Sequence, residues 1–77
     1  LELDNLGEPA RALGSYEAYL RLRRQGSLAR EAAYGRALAL RALGDTTREI
    51  RALESFLAEF PTALHAPRAR ARLDELR

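Results

Sequence analysis

Residues 3 to 20 of this chain return at residues 40 to 57 with a constant offset of 37. Leu3/Leu40, Leu6/Leu43, Gly7/Gly44, Glu17/Glu54 and Leu20/Leu57 are identities, and Glu8/Asp45, Leu13/Ile50 and Tyr19/Phe56 are near equivalents. No other feature restricts the fold so strongly. A unit of this length that recurs in tandem buries its apolar face by stacking on its neighbour, and the stack offers a long surface to a partner.

The residues that fill the unit are helix formers. Ala and Leu each occur fifteen times, Val and Met are absent, and Ile50, Thr46, Thr47 and Thr62 are the only β-branched residues. That composition predicts an all-α fold. The 77 residues form one domain, and a chain of this size buries only about 60% of the surface its unfolded form exposes, so the core is thin. Because the chain opens on Leu1 with residues that match the tail of a unit, it is expected to be a piece of a longer protein. Every basic residue is Arg, thirteen with no Lys, a bias associated with GC-rich bacterial genomes. There is no cysteine, which excludes disulfides and thiolate metal sites. The longest apolar run falls far short of the roughly 20 residues of a membrane span, and no secretory segment is visible.

Turn residues divide the chain into helices at about 1–6, 9–24, 27–43, 46–60 and 64–77. Gly7 and Gly44 are placed to close helices in the left-handed conformation, and Pro9 suits a first helical position. The first complete helix carries the stripe Leu13, Tyr16 and Leu20. Ser27 is a candidate N-cap for the next, whose inward stripe is Ala29, Ala33, Ala37 and Leu40. Asp45 or Thr46 caps the third, and Thr46 with Glu49 has the spacing of a capping box. Its apolar face is Ile50, Leu53, Phe56, Leu57 and Phe60, and Pro61 ends it. Pro67 opens the last helix, with Ala69, Leu73 and Leu76 inward. This helix aligns with the one at 27–43 at an offset of 36, through Ala33/Ala69, Ala37/Leu73 and Leu40/Leu76.

The run from Ala29 to Asp45, followed by Glu49-Ile50, Leu53, Phe56-Leu57 and Phe60-Pro61, resembles one whole unit of the tetratricopeptide repeat family. The family pattern has a small residue at Ala37, a large one at Leu40, a Leu43-Gly44-Asp45 turn and a terminal Pro61. In four places the chain departs from it: Ala33 replaces a large aromatic, Arg36 a common Leu, Glu49 a small Ala, and Arg24 the terminal Pro of the earlier copy. The resemblance implies a right-handed solenoid of antiparallel helix pairs, here four helices plus the end of a preceding one. The Phe-Leu-x-x-Phe-Pro signature is similar to bacterial cell-envelope members of the family, which implies a bacterial protein of the periplasm, envelope or cytoplasm. A repeat of this kind defines a shape rather than an activity.

In that family the first helix of each pair lines the concave surface. Glu31, Tyr34, Leu38 and Arg41 share one helical face beside the inward stripe, and their counterparts at the offset of 36 are Pro67, Arg70, Asp74 and Arg77. A groove with Tyr34 and Leu38 as apolar contacts and Arg41, Arg70 and Arg77 as forks for carboxylates suits an acidic or C-terminal peptide. The alternative is that Tyr34 and Leu38 pack against the adjoining helices of further repeats outside this chain while the arginines are solvated.

Charge is unevenly spread, since residues 21 to 41 hold six Arg against Glu31 alone. The cluster Arg21, Arg23, Arg24 and Arg30 could meet phosphates, yet no recognition-helix motif accompanies it and aromatic residues are too few to stack bases. His65 is the only imidazole and has no nucleophile or cysteine at a recognisable spacing. The five glycines are scattered singly, so no phosphate-cradling loop occurs. Two of them, Gly14 and Gly35, fall inside helices, where close helix contact is expected in return for the lost propensity. No catalytic residue, cofactor or metal is implied. The chain is expected to be a non-enzymatic module that binds a protein or peptide. Self-association is the alternative, through apolar ends at Leu1, Leu3 and Leu6 and at Leu73 and Leu76, and nucleic-acid binding a more distant one.

Overall fold

The computed structural model describes the backbone of residues 2–23 and 26–77 and the side chains of residues 9–23, 26 and 28–77. The described residues form four helices: α1 (Glu2–Leu22), α2 (Ser27–Leu43), α3 (Thr46–Glu59) and α4 (Ala66–Leu76). No strand occurs among the described residues. The molecule measures 35 × 30 × 19 Å. Each helix packs mainly on its neighbour in sequence, α1 on α2, α2 on α3 and α3 on α4. The connections at 23–26, 44–45 and 60–65 are short, so successive helices run back antiparallel.

The turns follow from their residues. Gly44 adopts φ 79°, and its N–H donates to Arg41 O while Asp45 N–H donates to Leu40 O. That double bond pattern satisfies the last carbonyls of α2 and favours glycine at the left-handed position. The carboxylate of Asp45 then accepts from Arg48 N–H at 3.2 Å and caps α3. Gly26, at φ 99°, makes the sharp reversal into α2. Phe60 closes α3 through a bond from its N–H to Phe56 O, and Pro61 stops the helix. Pro67 lies in the first turn of α4, where its missing N–H costs nothing.

The core is built from small residues on α2 and large ones on α3. Ala29, Ala33, Ala37 and Leu40 are buried as their spacing predicts, and Leu53 and Phe56 fill the space that the alanines leave. Ala32 and Ala39 are buried as well, because α2 lies between α1 and α3 and hides two adjacent stripes. Leu13 joins from α1, Ala52 from α3, and Ala66, Ala69 and Leu73 from α4.

Five sequence expectations need correction. The stretches 1–6 and 9–24 are not two helices, because α1 runs unbroken from Glu2 through Gly7 and Pro9 to Leu22. Pro9 forfeits one backbone bond and crowds the turn before it, and α1 keeps its helical course through that cost. Ser27 is the first helical residue of α2 rather than its cap, and Gly26 holds the capping position with no side chain to bond. The Thr46–Glu49 capping box does not form, because the Glu49 side chain is drawn across to α4. A Cβ at Gly14 would meet nothing within 4 Å, so that glycine makes no close helix contact. Leu73 is buried and Leu76 half-buried, so the end of α4 is not the bare apolar surface expected for self-association. The matching expectation for Leu1, Leu3 and Leu6, and the placement of Arg24, lie outside the described residues.

Candidate functional site

A groove of about 670 Å³ opens along α2 and α4, a size typical of small-ligand and peptide clefts. Its floor comes from Ala37 of α2 and from Glu49 and Leu53 of α3, and Tyr16 reaches in from α1. Along the α2 wall stand Glu31, Tyr34, Leu38 and Arg41, the residues whose spacing predicts a shared face. From Glu31 to Arg41 the helical rise gives a wall about 15 Å long, which matches four or five extended residues.

The facing wall differs from the sequence expectation by one residue. His65, Arg68, Ala71, Arg72 and Glu75 line it, positions that correspond to α2 at an offset of 37. Arg70 points away and donates to Pro61 O at 3.2 Å, which braces the α3–α4 turn. Arg77 pairs with Glu54 of α3, and Asp74 and Pro67 are exposed outside the groove. A single residue turns a helix by about 100°, enough to carry a side chain from a groove wall to the outer surface. The structure therefore gathers Glu31, Tyr34, Leu38 and Arg41, and leaves Arg70, Asp74 and Arg77 apart.

Aromatic contacts stiffen one end of the cleft. The rings of Tyr34 and His65 stack with centroids 4.4 Å apart and planes 7° from parallel. Tyr34 also meets Phe56 at 5.3 Å, so the wall is continuous with the core. His65 Nε2 lies 3.8 Å from Glu31 Oε1. Tyr16 owes its place to Gly35, since a Cβ there would sit 2.6 Å from Tyr16 Cζ. Only a residue without a side chain lets α1 bring that ring so close.

Beneath the groove lies a bidentate ion pair that sequence reading does not anticipate. Glu49 is only 2% exposed, and its two oxygens accept from Arg72 Nε at 2.7 Å and from Arg72 Nη2 at 3.2 Å. Arg72 also donates to Glu75 at 3.2 Å. Hydrogen bonding to Glu49, against a smaller opposing effect of burial, holds the Arg72 guanidinium above its ordinary value. The usable signal in the sequence is Glu49 standing where the repeat family packs a small Ala, since an acid at a buried position requires a cation within reach.

Two groove cations keep their forks free. Arg41 and Arg68 are exposed, at opposite ends of the cleft, and neither is in an ion pair among the described residues. Between them Leu38 is half bare. No three His, Asp or Glu side chains gather as a metal site among the described residues, and no described helix is long and apolar enough to cross a membrane. Comparison of the chain with family models, curated proteins and solved structures finds no match.

Proposed function

We propose that this chain is a non-enzymatic recognition module of tetratricopeptide-like design, and that its α2–α4 groove holds an extended acidic peptide segment. One observation carries the reading: unpaired Arg41 and Arg68 stand at the two ends of a cleft whose middle is Leu38 and Tyr34. A peptide laid along α2 would rest an apolar side chain on Leu38 and the Tyr34 edge, and meet a guanidinium at each end. Arg72 is already held by Glu49 and Glu75 and contributes field rather than a free fork. Small residues at Gly35 and Ala37 and the left-handed Gly44 support the helix-pair design, because they let α2 lie close to both neighbours.

The test is a fluorescence-anisotropy screen of acidic peptides with free and amidated C-termini. Arg41→Ala and Arg68→Ala should each weaken the best ligand by about fivefold, the effect of one exposed charge-assisted contact of about 1 kcal/mol. Arg11→Ala, on the outer side of α1, should leave it unchanged. Equal binding by all three variants would remove the groove from consideration.

A further inference from the structure

Three leucines at one end of the molecule are bare. Leu22 is 85% exposed, Leu28 65% and Leu64 86%. Leu22 closes α1, Leu28 is the second residue of α2, and Leu64 stands in the connection between α3 and α4. Because the helices alternate in direction, the α1–α2 and α3–α4 turns lie at the same end. A single exposed leucine is ordinary. Three on the turns of one end form an apolar tip that no described element covers.

The same end is basic. Arg21, Arg23 and Arg30 surround the α1–α2 turn, and Arg68 stands one turn into α4. None of the four is in an ion pair among the described residues, whereas Arg48, Arg72 and Arg77 elsewhere each hold a carboxylate. The acids nearby are Glu17, four residues before Arg21 and paired with Arg48, Glu59, at the end of α3, and Glu31, which faces His65. At the opposite end the α2–α3 turn carries Asp45, beside Arg48, and a single half-exposed leucine, Leu43. Among the described residues the leucines more than 60% exposed all lie at the first end, where three arginines surround one turn, while the α2–α3 end sets the unpaired Arg41 beside Leu43 alone.

We propose that this pole docks on an anionic lipid bilayer, with Leu22, Leu28 and Leu64 seated at the boundary of headgroups and acyl chains and the arginines forking lipid phosphates. The combination selects the occupant. A nucleic acid would satisfy the arginines and leave the leucines in water. A second copy in a two-fold contact would cover the leucines but set arginine against arginine. A bilayer with anionic headgroups satisfies both, and the pairing of apolar side chains with basic ones is the ordinary device of peripheral attachment. The surface is separate from the peptide groove apart from Arg68, so either proposal can fail alone.

Vesicle co-sedimentation tests it, with phosphatidylcholine vesicles set against vesicles containing about a third phosphatidylglycerol. The chain should pellet with the anionic vesicles, release as salt rises, and ignore the neutral ones. Arg21→Gln with Arg23→Gln should lower the partition coefficient about 25-fold, at roughly fivefold per arginine near such a surface. Leu22→Gln with Leu64→Gln should lower it at least tenfold, and circular dichroism should show both variants folded, since all four side chains are exposed. Three results would each overturn the proposal: no binding to anionic vesicles, binding that the leucine changes leave intact, or a dimer in sedimentation that the leucine changes dissolve while vesicles bind nothing. Tighter retention on duplex DNA than on vesicles, unchanged in the leucine variant, would assign the pole to nucleic acid instead.

Discussion

Gly14 and Gly35 invite the same substitution, and only Gly14 should reward it. Each lies inside a helix, where replacing Gly by Ala gains about 1 kcal/mol of propensity. At Gly14 the new methyl meets nothing within 4 Å, so the gain is undiluted. For a domain of this size that raises Tm by roughly 4–8 °C. At Gly35 the methyl would lie 2.6, 2.8 and 2.9 Å from three carbons of the Tyr16 ring. Carbon atoms rest about 3.5–4.0 Å apart, so the ring must retreat by about 1 Å. Overpacking of this kind costs about 1–3 kcal/mol, which cancels the propensity gain or exceeds it by up to about 2 kcal/mol, at about 4–8 °C of Tm for each net kcal/mol. The control is Tyr16→Ala. With the ring gone Gly35→Ala meets no obstacle and should raise Tm as Gly14→Ala does, so the two-site cycle returns a coupling of about 1–3 kcal/mol. Thermal melts followed by far-UV circular dichroism on the four proteins measure it. If Gly35→Ala raises Tm in the parent by as much as Gly14→Ala, the close approach of α1 and α2 is not what glycine secures there.

Other perturbations separate the remaining contacts. Replacing Arg72 by Met strands a buried carboxylate and should lower Tm by roughly 10 °C or more, while Glu49→Leu combined with Arg72→Met should restore most of that loss, because two apolar side chains need no partner. Urea melts of the single and double variants give the comparison. Asp45→Ala removes the acceptor for Arg48 N–H and should cost about 1 kcal/mol, read as a lower urea midpoint at unchanged slope. Leu73→Glu should unfold the chain rather than alter its oligomeric state, since Leu73 is buried; a folded variant of reduced mass in sedimentation would contradict its place in the core.

What the sequence makes legible depends on how many physical effects agree at a residue. Gly44 and Pro61 are clear because a left-handed turn and a missing N–H leave the backbone few options. Gly7 has the same neighbour in Leu6 as Gly44 has in Leu43, yet the helix passes through it. The difference lies downstream, where Asp45 caps α3 with its carboxylate and a whole amphipathic helix is ready to pack. The one-residue ambiguity on α4 has a cause as well. Because α2 buries Ala32 and Ala33 side by side, Ala69 matches one at an offset of 37 and the other at 36. The apolar pattern cannot choose between them, and the groove wall changes from Arg70 and Asp74 to Arg68, Ala71 and Glu75 with the choice. Helical period puts Glu49 on the stripe of Leu53 and Phe56, but its partner Arg72 is beyond the reach of periodicity, being set by how α4 lies on α3.

The pairing of every helix with its immediate successor has a kinetic side. Each hairpin closes through a short connection and forms most of its contacts without waiting for a distant strand of chain. Chains organised in this way have low contact order and reach the native state in microseconds to milliseconds. The reverse also holds: α4 touches the remainder chiefly through α3, so its seat exists only once α3 has found its place on α2.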